Sequence, residues 1–287
     1  MKVPALVELS KPRITQLVVL TAAAGYYLAS RGPFQLGLFA ATLAGTALVA
    51  AGTNALNMVR EREIDGRMHR TRNRPLPAGR VSPRGATRFA IVVAAAGLGL
   101  LAWRVNWITA ALAALTLVSY VGLYTSLKPR TSLNTLVGAI PGALPVLGGW
   151  TGAGGSLDAA AFTLFWTLFL WQLPHFLALA WVYREDYRTA QLAMLSVEDP
   201  DGRRTSAMTL LYALALLPVS LLPTLLGVTG TLYFAGALLL GVCYAAAGAG
   251  MLADAQHRQT WAWRVFVVSI VYLPALLTLA VLDKVQT

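Results

Sequence analysis

Long apolar stretches separated by short polar segments make up most of the chain. Stretches of about 20 apolar residues can cross roughly 30 Å of hydrocarbon as helices. The pattern therefore predicts an all-α, polytopic membrane protein with about nine transmembrane helices around a central cavity. The predicted spans lie near residues 14–30, 35–58, 88–105, 107–127, 133–151, 160–182, 206–228, 231–253 and 263–283.

Two acidic patches interrupt the apolar pattern at helix ends that are four predicted spans apart. The first contains Asn57, Glu61 and Asp65 at the end of the second span, and the second contains Glu185 and Asp186 after the sixth. Duplicated membrane proteins often place a site where two such halves meet. We therefore expect one transmembrane domain over residues 1–287, with a first four-helix half at about 14–127, a second half at about 133–253 and a final helix at about 263–283.

The first patch has helical spacing. Asn57, Glu61 and Asp65 are four residues apart, so on a helix they share one face, which Asn54 joins. A carboxylate near the bilayer centre costs roughly 2.5 to 3.5 kcal/mol even on insertion scales. We therefore expect these side chains to line the mouth of a cavity and not to face lipid.

Composition and charge fix the setting and the orientation. Hydrophobic residues are 57% of the chain and charged residues 12%, which excludes an ordinary water-soluble domain. With a cytoplasmic N-terminus, 20 of the 23 Lys and Arg residues, Lys2 included, fall in cytoplasmic segments, and only Arg31, Arg104 and Lys284 lie on the other side. This bias predicts a cavity that opens to the cytoplasm. The net charge of +11 is thus a topology signal, and nucleic-acid binding is disfavoured.

Cationic residues close to the first patch indicate the type of ligand. Mg²⁺ takes oxygen ligands and bridges carboxylates to phosphates, while Arg pairs with the remaining phosphate oxygens. The patch and its cations therefore predict a site for a magnesium-bound phosphate or diphosphate. The chain has no Walker-type glycine-rich loop, so an NTPase is disfavoured. The cations are Arg70, Arg74, Lys128 and Arg130.

Simpler explanations exist for several of these residues. Charged loops beside membrane helices usually serve as solvated surface and as topology signals. His175 follows Pro174 within an apolar span, and a hydrogen-bonded packing histidine is as good an interpretation of it as a functional one.

Four segments carry motifs that occur in order at predicted helix ends. They are Asn57-(x3)-Glu61-(x3)-Asp65-(x2)-Met68-(x)-Arg70-Thr71-(x2)-Arg74-Pro75-Leu76; Tyr124-Thr125-(x2)-Lys128-(x)-Arg130-(x3)-Asn134; Gly138-(x3)-Gly142-Ala143-(x)-Pro145-(x3)-Gly149-Trp150; and Trp171-Gln172-(x)-Pro174-His175-Phe176-(x4)-Trp181-(x2)-Arg184-Glu185-Asp186-Tyr187. Together they resemble the protoheme IX farnesyltransferases, or heme O synthases, a branch of the UbiA-type intramembrane prenyltransferases. The resemblance covers about residues 11–204.

The resemblance implies an activity and its partners. It implies transfer of a farnesyl group from farnesyl diphosphate to the 2-vinyl group of protoheme IX, which gives heme O, the precursor of heme A for terminal oxidases. It also implies Mg²⁺ as cofactor, a place in the lipid bilayer of the cell inner (cytoplasmic) membrane, and handover of the product to a heme A synthase.

The resemblance further implies roles for individual residues. The metal ligands would be Asn57, Glu61, Asp65, Glu185 and Asp186, and the diphosphate ligands Arg70, Arg74, Lys128 and Arg130. Tyr124 would stabilise the allylic cation, and the heme contacts would be His175, Trp171, Phe176 and Arg184. In the wider superfamily the second motif has aspartates four apart, whereas Tyr183 and Tyr187 stand at those positions in this chain.

Two other functions remain open from the sequence. A prenyltransferase for a quinone-type acceptor would keep the magnesium and diphosphate residues but would not need His175. A cation-coupled transporter would also use carboxylates within the membrane, although the cluster of Arg and Lys argues against it.

Overall fold

The computed structural model describes residues 3–285, so Lys2 lies outside the described residues. Over that range the chain is helical except for loops and one isolated β-bridge between Thr229 and Lys284. The helices are α1 Val3–Leu9, α2 Pro12–Ala29, α3 Leu36–Arg60, α4 Arg62–Arg67, α5 Pro83–Arg104, α6 Trp107–Val118, a π-helical segment Ser119–Tyr124, α7 Thr125–Leu127, α8 Asn134–Gly152, α9 Ala159–Val182, α10 Arg184–Thr189, α11 Leu195–Glu198, α12 Arg203–Leu225, α13 Thr231–Ala253 and α14 Arg258–Leu282.

The membrane architecture agrees with the apolar pattern. Within residues 3–285, seven helical segments are long and apolar enough to cross a membrane: α3, α5, the continuous stretch Trp107–Leu127, α9, α12, α13 and α14. This confirms the all-α, polytopic fold class. The other two predicted spans, 14–30 and 133–151, fall on α2 and α8, which are helical but outside that set. The total of nine therefore stays a prediction.

Helix α8 lies at the centre of the bundle, and its composition explains why it differs from the other spans. Most of its residues are buried, and glycine is its commonest residue. It packs against α2, α6 and α9. Small residues let helix backbones approach closely in membranes. Helix α8 is therefore surrounded by packed helices, whereas the outer helices contact lipid.

The contact between α2 and α8 depends on two glycines. A Cβ atom added at Gly149 would overlap the backbone carbonyl of Ala22, and one added at Gly25 would overlap the carbonyl of Val146. Backbone atoms cannot move aside as a side chain can. The two helices can therefore lie this close only because both positions lack a side chain.

We expect Gly149→Ala to destabilise the protein by at least about 1 to 3 kcal/mol, because overpacking forces the two backbones apart. The matched control is Gly148→Ala, one residue earlier on the same helix, where a Cβ would have no heavy atom within 4 Å. Thermal unfolding of both variants in the same detergent tests this. Equal unfolding temperatures would contradict the close-contact explanation.

Candidate functional site

A cavity opens at the end of the bundle where α3 ends and α8 begins, which we call the charged end. It encloses about 870 Å³ of space outside protein atoms, its open mouth included. Lys11, before α2, and Tyr187, on α10, also contribute to its wall. Eight residues predicted from the sequence line it: Asn57, Glu61, Asp65, Arg70, Arg74, Tyr124, Lys128 and Phe176.

The first acidic patch keeps its helical spacing across a break between two helices. Helix α3 ends at Arg60 and α4 begins at Arg62. The backbone hydrogen bonds continue from Glu61 N to Asn57 O at 2.9 Å and from Asp65 N to Glu61 O at 2.7 Å. Asn57, Glu61 and Asp65 are only 1%, 5% and 0% exposed. The three oxygen-bearing side chains are therefore buried around one cavity, as the i, i+4, i+8 pattern predicts.

Each carboxylate of the first patch is paired with its own cation. Arg74 Nη1 donates to both Asp65 carboxylate oxygens at 2.8 Å, and Lys128 Nζ donates to Glu61 Oε1 at 2.6 Å. Thr71 Oγ1 also donates to the Asp65 backbone carbonyl at 2.8 Å, which holds the loop after α4 against the patch. Buried charges are tolerated when they are paired and hydrogen-bonded. The two ion pairs offset the cost of burying these carboxylates.

The pKa values of the Glu61 and Lys128 pair follow from this pairing. Burial alone would raise the pKa of Glu61, but the attraction of Lys128 and Lys11 outweighs it, so the pKa lies below its usual value. Burial alone would lower the pKa of Lys128, but Glu61 outweighs it and the pKa lies well above its usual value. Both groups are therefore charged at neutral pH.

Lys11 also lines the cavity, although the charge pattern of the sequence predicts for it only a cytoplasmic location. Its Nζ donates to Asn57 Oδ1 at 2.7 Å, while Asn57 Nδ2 donates to Thr125 Oγ1 at 3.0 Å. Burial lowers the pKa of Lys11 to about 8. The signal available in the sequence was a lysine immediately before Pro12, at the start of a helix. That position puts the ammonium at the membrane boundary, at the level of the acidic patch.

Tyr124 lies in the π-helical segment that joins α6 to α7. Lys128 Nζ is 4.6 Å from the centre of its ring, and the Tyr120 ring is 5.1 Å away, centre to centre. A Cβ atom at Gly138 would overlap the Tyr124 ring, so the glycine makes room for it on α8. π-Helical turns are rare and often occur at functional sites. This turn places an aromatic face and a cation side by side in the cavity.

The second acidic patch contacts the loop that follows α4, and its carboxylates do not line the cavity. Asp186 Oδ2 accepts from the backbone N–H of Arg70 at 3.3 Å, and the Arg70 guanidinium lies 4.9 Å from the centre of the Tyr183 ring. Glu185 is exposed and pairs with Arg188 at 2.9 Å. In residues 3–285, no three His, Cys, Asp or Glu side chains are grouped closely enough to hold a metal.

Four other predicted site residues lie outside the cavity wall: Arg130, Trp171, His175 and Arg184. Arg130 is exposed, and the Arg184 guanidinium lies 4.4 Å from the centre of the Trp181 ring. His175 Nδ1 shares a 2.6 Å hydrogen bond with Ser269 Oγ on α14. The geometry therefore does not support Arg130 as a diphosphate ligand or Glu185 as a metal ligand, because both side chains point to solvent.

His175 and Trp171 belong to the seam between α9 and α14. Their rings are stacked with centres 5.4 Å apart, and the Phe266 ring lies 5.0 Å from His175. Trp171 Nε1 donates to the Ser269 carbonyl at 2.9 Å. Phe176, the neighbour of His175, does line the cavity. His175 and Trp171 therefore face α14, whereas Phe176 faces the cavity.

The donor atoms of the first patch fit a hard divalent cation. Asn57, Glu61 and Asp65 offer one amide oxygen and two carboxylates, which are ligands that Mg²⁺ prefers. In the described structure Lys11 donates to Asn57, Arg74 pairs with Asp65 and Lys128 pairs with Glu61. An anion that attracts these cations would free the oxygens for a metal. The arrangement therefore suits a metal that arrives together with a diphosphate.

Comparison with known proteins gives a family and several relatives. The sequence profile of the UbiA prenyltransferase family matches residues 18–270. Among the similar curated proteins are protoheme IX farnesyltransferases of Solibacter usitatus, 43% identical over 97% of this chain and 98% of the relative, and of Myxococcus xanthus, 44% identical over 98% and 94%. The one of an Anaeromyxobacter species is 47% identical over 94% of this chain and 90% of the relative.

Solved structures share the fold at low identity. A digeranylgeranylglyceryl phosphate synthase matches with a TM-score of 0.82 at 17% identity, over 99% of both chains. A UbiA homologue from Archaeoglobus fulgidus bound to GPP and Mg²⁺ matches with a TM-score of 0.70 at 15% identity, over 96% of this chain and 99% of that one. These likenesses show that the helical arrangement is shared.

Proposed function

The chain belongs to the UbiA prenyltransferase family, and from that membership we propose that it transfers a farnesyl group from farnesyl diphosphate to a vinyl group of protoheme IX. Diphosphate leaves, and the cation formed next to the porphyrin ring takes up water and loses a proton, giving heme O. It is a membrane-bound prenyltransferase, so the transporter alternative is not retained. One observation carries the proposal: a cavity at a membrane boundary combines buried oxygen ligands with several cations, in a chain whose relatives at 43 to 47% identity are named protoheme IX farnesyltransferases.

The cations of the cavity bind and stabilise the leaving group. Farnesyl diphosphate must lose diphosphate to give an allylic cation, so stabilising a departing anion is the protein's main task. Arg74 and Lys128 exchange their contacts with Asp65 and Glu61 for contacts with diphosphate oxygens, and Arg70 closes the mouth. Lys11, which neighbours Asn57, joins this set.

Asn57, Glu61 and Asp65 would hold the metal once their oxygens are free. From the second patch we propose Asp186, whose Oδ2 accepts from the Arg70 backbone N–H outside the cavity wall. When bound, Mg²⁺ supplies charge neutralisation to the diphosphate as a Lewis acid.

The acceptor side of the cavity is aromatic. Tyr124 and Phe176 line the interior, and an aromatic face contributes about 0.5 to 2 kcal/mol to a nearby cation. We propose that these rings shield the allylic cation from water. The porphyrin then approaches along α9 beside Phe176 and toward Arg184, while His175 and Trp171 support Phe176 from the seam with α14.

Orientation and location follow from the same proposal. The charged end carries most of the Lys and Arg residues, and the positive-inside rule places such an end in the cytoplasm. We propose that the protein lies in the cell inner membrane with its N-terminus cytoplasmic. Heme O leaves toward an enzyme that converts it to heme A.

The identity of the acceptor is tested by product analysis. The purified protein in lipid nanodiscs is incubated with farnesyl diphosphate, Mg²⁺ and either protoheme IX or 4-hydroxybenzoate, and the products are separated by mass. We expect a farnesylated and hydrated heme and no farnesylated benzoate. Prenylation of the benzoate alone would overturn the choice of acceptor in favour of the quinone-type alternative.

Removal of divalent metal should abolish product formation. We expect at least a 10²-fold loss with excess chelator, because the diphosphate then leaves without charge neutralisation. Added Mg²⁺ in excess of the chelator should restore the rate. Unchanged turnover in chelator, with the metal content checked by elemental analysis, would contradict the metal-dependent mechanism.

A further inference from the structure

Arg60 is the last residue of α3, and its side chain donates to the neighbouring helix that carries Tyr124. Its Nη1 donates to the Val121 carbonyl at 3.0 Å, and its Nη2 donates to Ser126 Oγ at 3.1 Å. Arg60 is exposed and lies outside the wall of the cavity at the charged end, the charged cavity. Within residues 3–285, no carboxylate pairs with it. The guanidinium therefore serves this helix, whereas the charge pattern of the sequence predicts for it only a cytoplasmic location.

The two groups that Arg60 contacts lie in and just after the π-helical segment Ser119–Tyr124. The Thr125 N–H donates to the Tyr120 carbonyl, five residues earlier, where an α-helix would have a bond to the fourth. Such a turn takes up one residue more than an α-helical turn. Because π-helical turns are rare, contacts from outside the turn are expected to stabilise this one.

The carbonyls of residues 120–122 each accept a hydrogen bond from a side chain. Thr125 Oγ1 donates to the first at 2.9 Å, Arg60 Nη1 to the second at 3.0 Å and Ser126 Oγ to the third at 2.6 Å. Ser126 Oγ in turn accepts from Arg60. Hydrogen bonds with an ionised donor are roughly twice as strong as neutral ones. Arg60 is therefore expected to contribute most to holding the turn, and it does so from a different helix.

The π-helical turn keeps three cavity residues in one column. Tyr120, Tyr124 and Lys128 are four residues apart, and all three line the charged cavity. In a regular α-helix each step of four residues rotates the side chain by about 40°, so Lys128 would point about 80° away from Tyr120. One extra residue in the turn offsets about 100° of rotation. The Tyr124 ring consequently lies 5.1 Å from the Tyr120 ring, centre to centre, and its centre is 4.6 Å from Lys128 Nζ.

We propose that Arg60 is a positioning residue for prenyl transfer: it keeps the turn π-helical and thereby holds Lys128 toward Glu61 and the diphosphate. The inference rests on the proposed function, since it takes Lys128 to bind the diphosphate. Without Arg60 the turn relaxes toward an α-helix, and Lys128 rotates away from Glu61, with which it pairs. Arg60 acts through Lys128, because its own side chain lies outside the cavity wall.

The test is a double-mutant cycle that measures binding without any acceptor. Arg60→Met, Lys128→Met and the double variant are prepared in nanodiscs with Mg²⁺, and calorimetry gives the Kd of farnesyl thiolodiphosphate, an unreactive donor analogue. The matched control is Arg62→Met, which removes the same charge two residues later, where the side chain is exposed and pairs with Glu63. Unfolding temperatures confirm that each variant is folded.

We expect Arg60→Met to weaken binding at least about tenfold when Lys128 is present and less than about twofold in the Lys128→Met background, because residues that act through one another are not additive. Arg60→Lys keeps a charged donor and should restore part of the affinity. Arg62→Met should leave the Kd unchanged. A loss that comes only from lower stability would persist in both backgrounds.

Equal losses in both backgrounds, or no loss in folded Arg60→Met, would overturn the inference. If Arg60→Met does not fold, Ser126→Ala takes its place in the cycle, since it removes one acceptor of Arg60 and should weaken binding about threefold, again only when Lys128 is present. Failure of the wild-type protein to bind the analogue would contradict the proposed function itself. A cryo-EM structure of the variant then still tests the inference, which a π-helical turn that persists without the Arg60 contacts would overturn.

Discussion

Asp65→Asn is expected to lower kcat/KM for farnesyl diphosphate by about 10³-fold or more. The variant keeps the size of the side chain and one oxygen acceptor but removes the charge that pairs with Arg74 and that we propose binds the metal. Asp65 is fully buried at the base of the charged cavity. We expect kcat to fall more than substrate affinity, because the lost charge acts when diphosphate departs. Steady-state kinetics with protoheme IX as acceptor provides the measurement.

Glu63→Gln is the matched control for this prediction. Glu63 lies on the same short helix, α4, and its side chain is 75% exposed and pairs with the exposed Arg62. The same loss of one negative charge at this position should change kcat/KM less than threefold. An equal loss in both variants would show that Asp65 acts only through the stability of α4, and unfolding temperatures would then fall together.

Lys128→Met is expected to have the second largest effect. Lys128 pairs with Glu61 and lies over the Tyr124 ring, so its removal leaves a buried carboxylate without its cation. Truncating one partner of such a pair costs several kcal/mol, and we expect KM for farnesyl diphosphate to rise about 10²-fold. Calorimetric binding of a diphosphate analogue gives the change in affinity directly.

Arg130→Met tests whether Arg130 binds the diphosphate, as the sequence predicts, or lies outside the site, as the structure indicates. Arg130 is two residues from Lys128, but its side chain is exposed and outside the cavity wall. We therefore expect a change in KM of less than threefold. A rise comparable to that of Lys128→Met would return Arg130 to the diphosphate site and contradict the geometry described for the charged end.

Local periodicity predicted the first patch because its residues are held by one helix and its direct continuation. Asn57, Glu61 and Asp65 remain four residues apart across the junction of α3 and α4. The apolar pattern likewise predicted the membrane helices, since the length of hydrocarbon sets the length of a span. The division of the chain into two four-helix halves stays a prediction.

Tertiary packing determines the positions of the residues that the sequence alone could not place in or outside the site. Lys11 is 46 residues from Asn57 and joins the cavity only because α2 packs beside α3. The direction in which His175 points depends on the rotation of α9 about its axis, and α9 is apolar on every side. The exposure of Glu185 depends on how α10 packs against the bundle, and that of Arg130 on the loop between α7 and α8.

The surroundings of the glycines of α8 had no sequence signal, because they depend on which helices pack against each face of α8. Gly148 and Gly149 are adjacent in an apolar helix, yet one faces an open hollow and the other touches the backbone of Ala22. Only the packing of α2, α3 and α6 around α8 distinguishes them. A glycine in a membrane helix therefore cannot be assigned to packing or to a ligand without its neighbours.

The most direct measurement is a cryo-EM structure of the protein with Mg²⁺ and farnesyl thiolodiphosphate. The account predicts metal density about 2.0 to 2.1 Å from oxygens of Asp65 and Glu61. It also predicts diphosphate density beside Lys128 and Arg74. Diphosphate bound elsewhere, with the ion pairs of Glu61 and Asp65 intact and no metal beside them, would contradict it.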